Sequence, residues 1–156
     1  MKTGVRCLAL LLAAVTVPTL AWSKSVEFTF NEVVVSIDTP PDIEVQNLPS
    51  AHDFLLYEIT SRGARLGGVY VGNHPQDRDI PKEKLRKSVI AGCRAYSFER
   101  RESGGLSRDV FVMLAPPSGA PQVVHFFYRN LAAEQARQVD GIVMSLKPLR
   151  GGGCRG

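Results

Sequence analysis

The chain has 156 residues, with 19 Lys and Arg against 15 Asp and Glu, three Cys, and a hydrophobic share of 44%. That length buries one core and excludes two full domains, and the regular supply of Val, Leu, Ile and Phe excludes a disordered chain. No internal repeat is present, and beyond residue 23 no apolar run is long enough to cross a bilayer as a helix.

Residues 1–23 read as a secretory signal peptide. Lys2 and Arg6 supply the positive start, Cys7 to Val17 the short apolar stretch, and Ala21-Trp22-Ser23 the small residues flanking a cleavage site. Cys7 begins the apolar stretch instead of ending it, which excludes a lipoprotein signal. The expected mature chain is one α+β domain over 24–149 followed by a Gly-rich tail over 150–156, without a transmembrane segment and located in the periplasm or outside the cell. Its charge is uneven. Lys24 to Thr60 carries one cation and seven acids, whereas Ser61 onward carries 16 cations and eight acids. Such a dipole favours an acidic partner, and export argues against nucleic acid.

Along the mature chain, Val26 to Phe30 alternates and Val33 to Ile37 is β-branched, so both predict strands, stopped by Pro40-Pro41. Ile43 to Val45, Phe54 to Thr60 and Leu66 to Asn73 predict further strands, the last two joined by a Gly-containing hairpin loop. Gly67-Gly68 inside a strand predicts a bulge or a close backbone approach. From Ile80 to Cys93, apolar Leu85, Val89, Ile90 and Cys93 fit one helix face, with Asp79 as cap, Pro81 in the first turn and Gly92 at the end. Tyr96 to Glu102, Val110 to Ala115 and Gln122 to Asn130 predict a strand meander. Ala132, Ala136, Val139, Val143 and Leu146 predict a closing helix, ended by Pro148.

The expected class is therefore α+β, an antiparallel sheet of about six strands packed with two main amphipathic helices. The early strand running into Pro40-Pro41, the meander, and a last helix carrying Ile142-Val143-Met144-Ser145-Leu146 together resemble the PsbP-like sandwich. That family includes bacterial envelope proteins, thylakoid-lumen photosystem subunits, a GTPase-binding factor and secretion chaperones. The resemblance implies a binder and assigns no functional residue.

Chemistry is sparse. His52, His74 and His125 fall on separate elements, and no HxxxH, HExxH or CxxC occurs, so no metal or cofactor is expected. The oxygen-rich run Asn73 to Asp79 lacks the central Gly and final Glu of a calcium loop. No GxSxG frames Ser103, Ser107 or Ser118, and Cys93 sits on an apolar stripe that favours burial over nucleophilic use. After signal removal Cys93 and Cys154 are the two remaining cysteines; in an oxidising compartment they are expected to pair, with a buried Cys93 and a free Cys154 as the alternative.

Lys82, Lys84, Arg86 and Lys87 crowd the first expected helix, and Arg100 and Arg101 sit near a turn; this is the candidate partner surface. Val124 to Tyr128 alternates across its strand, placing Phe127 as a possible anchor if one sheet face is bare. The functional expectation is an exported, non-catalytic protein-binding module of the bacterial envelope, an accessory subunit or an immunity-type inhibitor of a delivered toxin. The alternatives are a small periplasmic hydrolase built from dispersed residues, or a lipid or small-ligand binder.

Overall fold

The computed structural model describes residues 24–50, 53–75, 80–118, 122–151 and 153–154. The expected signal peptide and the cap Asp79 lie outside the described residues. Among the described residues, ten strands form two antiparallel sheets. The smaller holds β1 (Lys24–Phe30), β2 (Val33–Thr39) and β10 (Lys147–Arg150) in the order β1-β2-β10. The larger holds β3 (Ile43–Leu48), β4 (Phe54–Ser61), β5 (Ala64–Gly72), β6 (Arg86–Ile90), β7 (Cys93–Glu102), β8 (Gly105–Leu114) and β9 (Gln122–Leu131). Its order is β3-β4-β5-β9-β8-β7-β6, so two antiparallel runs meet along β5 and β9.

Strand accounts for 63% of the structure and helix for 12%, which overturns the two-helix α+β expectation. One α-helix is present among the described residues, α1 (Ala133–Met144), and it buries Ala136, Val139 and Val143 of the stripe expected of it, together with Ile142, while Ala132 and Leu146 fall outside its ends. It stops at Met144, before Pro148, because the backbone turns into edge strand β10, where Pro148 pairs with Val35. The other expected helix is a 3-10 turn, Lys82–Lys84, followed by the hairpin of β6 and β7. Ala91 and Gly92, at φ 52° and 80°, form a left-handed two-residue turn that no helix accommodates. Beyond the turn, Cys93, Ala95 and Ser97 are buried at alternate positions, the period of a strand. The first of the two expected helices is therefore absent from this segment.

The core fills the space between one face of the large sheet and the layer made by the small sheet and α1. Phe28, Val35 and Ile37 meet Val69, Val110, Val112, Val124 and Phe126, with Val139 and Ile142 beside them. Full burial of each such side chain contributes roughly 1.5–3 kcal/mol. Ser145 closes the far end of α1: its hydroxyl donates to Asp38 O (3.1 Å) and accepts from Asp38 N–H (2.8 Å).

Cys93 and Cys154 are disulfide-bonded, their Cα atoms 4.5 Å apart across a separation of 61 residues. Cys93 is fully buried, and Gly153 O accepts Ala115 N–H at 2.6 Å, so the segment after β10 is tied to the large sheet at two points. No helix among the described residues is long and apolar enough to cross a membrane.

Candidate functional site

The large sheet has a second face, turned away from the core. On β9, Val124, Phe126 and Tyr128 enter the core, so strand alternation turns Val123, His125, Phe127 and Arg129 the other way. Register then sets their neighbours. His125 lies opposite Tyr70 on β5 and Phe111 on β8, while Phe127 lies opposite Gly68 and Asp109. Residues far apart in sequence thus meet on one surface.

Gly68 shapes that surface. A Cβ there would fall 2.6 Å from Phe127 Cζ and 2.9 Å from Tyr57 O, so its absence lets the Phe127 ring lie down over the strand. Beside it the β4–β5 register shifts between Ile59 and Thr60. The Gly67-Gly68 pair therefore accompanies both features expected of it, a bulge and a close approach. Nearby, Tyr70 stacks on Phe54 with centroids 5.4 Å apart, and its oxygen accepts His74 N–H at 2.9 Å.

A polar trio sits among these rings, with two of its members, His125 and Asp109, buried. His125 and Asp109 side chains are 5% and 7% exposed, and His125 Nε2 is 2.9 Å from Asp109 Oδ1. Arg129 Nη2 donates to the same oxygen at 2.8 Å, and its Nη1 donates to the carbonyls of Arg108 and Tyr128. Burial alone would raise the pKa of Asp109, but the hydrogen bonds and charges of His125 and Arg129 outweigh it and hold the carboxyl below its usual range. An ionised carboxylate only accepts, so Nε2 of His125 carries the proton in that bond. The imidazole stacks on Phe111 at 4.2 Å and meets Phe127 at 5.3 Å, while the half-exposed Arg129 guanidinium lies 5.9 Å from the Phe127 centroid. Packing thus fixes His125, and three hydrogen bonds fix Arg129.

His125 and Arg129 border a cleft of about 430 Å³ with Phe54, Leu56, Tyr70 and Phe127 as apolar walls and Asp53 and His74 also lining it. Asp109 lies on Arg129's other side, where the two line a hollow of about 160 Å³ with Ile80, Phe98, Arg100 and Ser107. The cleft has the size and the apolar lining with few polar groups that small-ligand sites share. Ser107 Oγ accepts Asn130 N–H at 2.9 Å, and no Ser, Thr or Cys side chain hydrogen-bonds His125 among the described residues. The described residues also contain no group of three or more His, Cys, Asp or Glu placed to share a metal ion.

The expected partner residues lie elsewhere. Lys82 and Lys84 are exposed on the 3-10 turn, and Arg86 and Lys87 are exposed on β6, so these four line one sheet edge and not a helix. Arg100 and Arg101 are exposed neighbours on β7 that point to opposite faces; Arg100 reaches the smaller hollow and pairs with Glu102 at 2.8 Å. The structure does not bring the six together. Sequence reasoning passed over Asp109, Arg129 and Tyr70. The available signal was a carboxylate, Asp109, heading the apolar run Val110 to Leu114 on one strand, and the alternating His125, Phe127 and Arg129 on another.

No family model matches the chain, and no curated protein matches it. Among solved structures, a Bacteroides thetaiotaomicron protein superposes with a TM-score of 0.42 at 11% identity, covering 76% of this chain and 46% of that one. The chain thus spans less than half of that protein's length.

Proposed function

We propose that the protein is an exported, non-catalytic binding module whose cleft takes an amphipathic small molecule bearing a carboxylate or phosphate. The observation that carries this reading is the arrangement of Arg129, half-exposed at an aromatic-walled cleft and locked in place by Asp109. A guanidinium held this way has little conformational freedom left to lose, and it matches planar anions in geometry. Phe54, Leu56 and Phe127 offer the ligand's apolar part a surface to cover. Asp109, held below the usual carboxylate range, is a weak base and serves as an anchor. The disulfide fits an oxidising compartment outside the cytoplasm.

Calorimetric titration with decanoate, phenylacetate and phenyl phosphate tests the reading. At least one should bind saturably, and Arg129→Ala should weaken it by roughly tenfold or more, the loss of one charge-assisted contact. Absence of binding by all three, or equal binding by the variant, overturns it. The His125–Asp109 pair favours one second reading, a hydrolase with His125 as general base. Turnover of a nitrophenyl ester that is lost in His125→Ala would establish that reading instead.

A further inference from the structure

The seven-stranded sheet ends on β6, and this edge is chemically one-sided. Four of its five residues are exposed, and Val89, at 68%, is the most exposed large hydrophobic side chain among the described residues. Arg86 and Lys87 share its strand, Arg94 lies opposite it on β7, and Lys82 and Lys84 sit on the 3-10 turn before it; all five are exposed and none is in an ion pair among the described residues, with Glu83 the single acid on the 3-10 turn. Edge strands are commonly blunted by a proline, a bulge or charged side chains. β6 has no proline and no bulge, its register with β7 being unbroken from Arg86 to Ile90, and carries charges of one sign, which deter other cationic strands and not an acidic one.

The hairpin geometry says which backbone groups are open. The two-residue turn at Ala91 and Gly92 closes on the pair Ile90 and Cys93, which exchange the first hydrogen bonds. Alternation then turns the backbone groups of Ile90, Ser88 and Arg86 toward β7, and those of Val89 and Lys87 away from the sheet. Each outward residue offers one N–H and one C=O, enough to bind a short strand through two pairs of bonds.

We propose that β6 is a docking edge for an acidic, extended segment of a partner protein, which adds to the sheet as its next strand. Main-chain bonds to Lys87 and Val89 would fix the register, Val89 would pack on an apolar residue, and the surrounding cations would select Glu or Asp beside it. The same cations repel a second copy presenting β6, so the edge is guarded against its own kind and open to the opposite charge. This inference does not rest on the ligand reading of the cleft, which lies toward the other end of the sheet.

The probe is an end-capped heptapeptide alternating Glu with Val and Thr, its binding to the full chain followed by fluorescence anisotropy. Saturable binding at low salt that weakens steeply at high salt is expected. Methylating the two amide nitrogens that face β6 should weaken it by roughly tenfold or more, since those methyls remove main-chain donors and leave the charge intact. Lys87→Pro should do the same while leaving thermal stability nearly unchanged, because the lost N–H points outward; Lys84→Glu with Lys87→Glu provides a second variant that keeps every backbone donor. Equal binding of the methylated peptide would reduce the edge to a diffuse charge effect and overturn the proposal. So would absence of binding at low salt, or concentration-dependent self-association abolished by the charge reversal, which would assign the edge to a second copy.

Discussion

Breaking the Cys93–Cys154 bridge is expected to cost most of its stabilisation through the unfolded chain. The bond spans a separation of 61 residues, and the chain-entropy relation for a loop of that size gives on the order of 4 kcal/mol at room temperature. Cys154→Ser is the informative variant, because Cys93 is fully buried and its replacement would add a cavity or a buried hydroxyl. For a domain of this size the loss should lower Tm by roughly 10–20 °C. Denaturation in urea should also show a steeper slope, since the freed unfolded chain exposes more surface. The local contribution is small by comparison: one hydrogen bond, Ala115 N–H to Gly153 O, and the packing of Cys154 against the core. Unfolding curves of the oxidised wild type, the reduced wild type and Cys154→Ser decide the matter. A variant within about 1 kcal/mol of the oxidised protein, with an unchanged slope, would refute the entropic reasoning.

Two further predictions concern single side chains. Tyr128 is buried, and its hydroxyl donates to Asp140 Oδ1 at 3.3 Å; burial first, and the charge of Asp140 next, push its pKa up to about 12. Its neutral form is thus favoured by folding, so its contribution is complete below pH 10 and should be lost between pH 10 and 12, on the order of 2 kcal/mol, as read from urea midpoints that Tyr128→Phe renders flatter across that window. Gly68→Ala would place a Cβ against Phe127 and the Tyr57 carbonyl, so it should destabilise by about 1–3 kcal/mol and lift the ring into the cleft, weakening any amphipathic ligand; unchanged thermal stability would contradict the packing described.

The strands were largely legible because alternation and turn residues agree over Val26 to Ile37, Phe54 to Gly72 and Gln122 to Leu131. The stretch from Leu85 to Cys93 was not, since its apolar spacing fits one helix face as well as it fits two strands folded back on each other. Ala91-Gly92 decided between them: a helix end needs one left-handed residue, and this hairpin takes two. The disulfide was readable once residues 1–23 were taken as a signal peptide, since that reading removes Cys7 and leaves Cys93 and Cys154 to pair in an oxidising compartment. The cleft was half readable. Alternation along β9 groups His125, Phe127 and Arg129, but Asp109 joins them through the β8–β9 register, which no local pattern encodes. The basic cluster was seen as a composition and missed as an edge, because its geometry follows from the same turn.

The seam between β5 and β9 has a kinetic consequence. Hairpins and meanders on either side of it close over short loops, whereas Tyr70 reaches His125 only by bringing together segments 55 residues apart, from a partner register that no neighbouring turn supplies. The bridge from Cys93 to Cys154 offers no appreciably shorter route between them, since it leaves β5 outside the ring it closes. Closure of the seam, like the pairing of Lys147 on β10 with Ser36 on β2, is therefore an entropically demanding event of folding, and before it Phe54, Leu56 and Tyr70 stand apart from His125, Phe127 and Arg129. A molecule seated across the two halves holds together the one ladder of the large sheet that neither half can make alone, so its binding should slow the opening of that sheet.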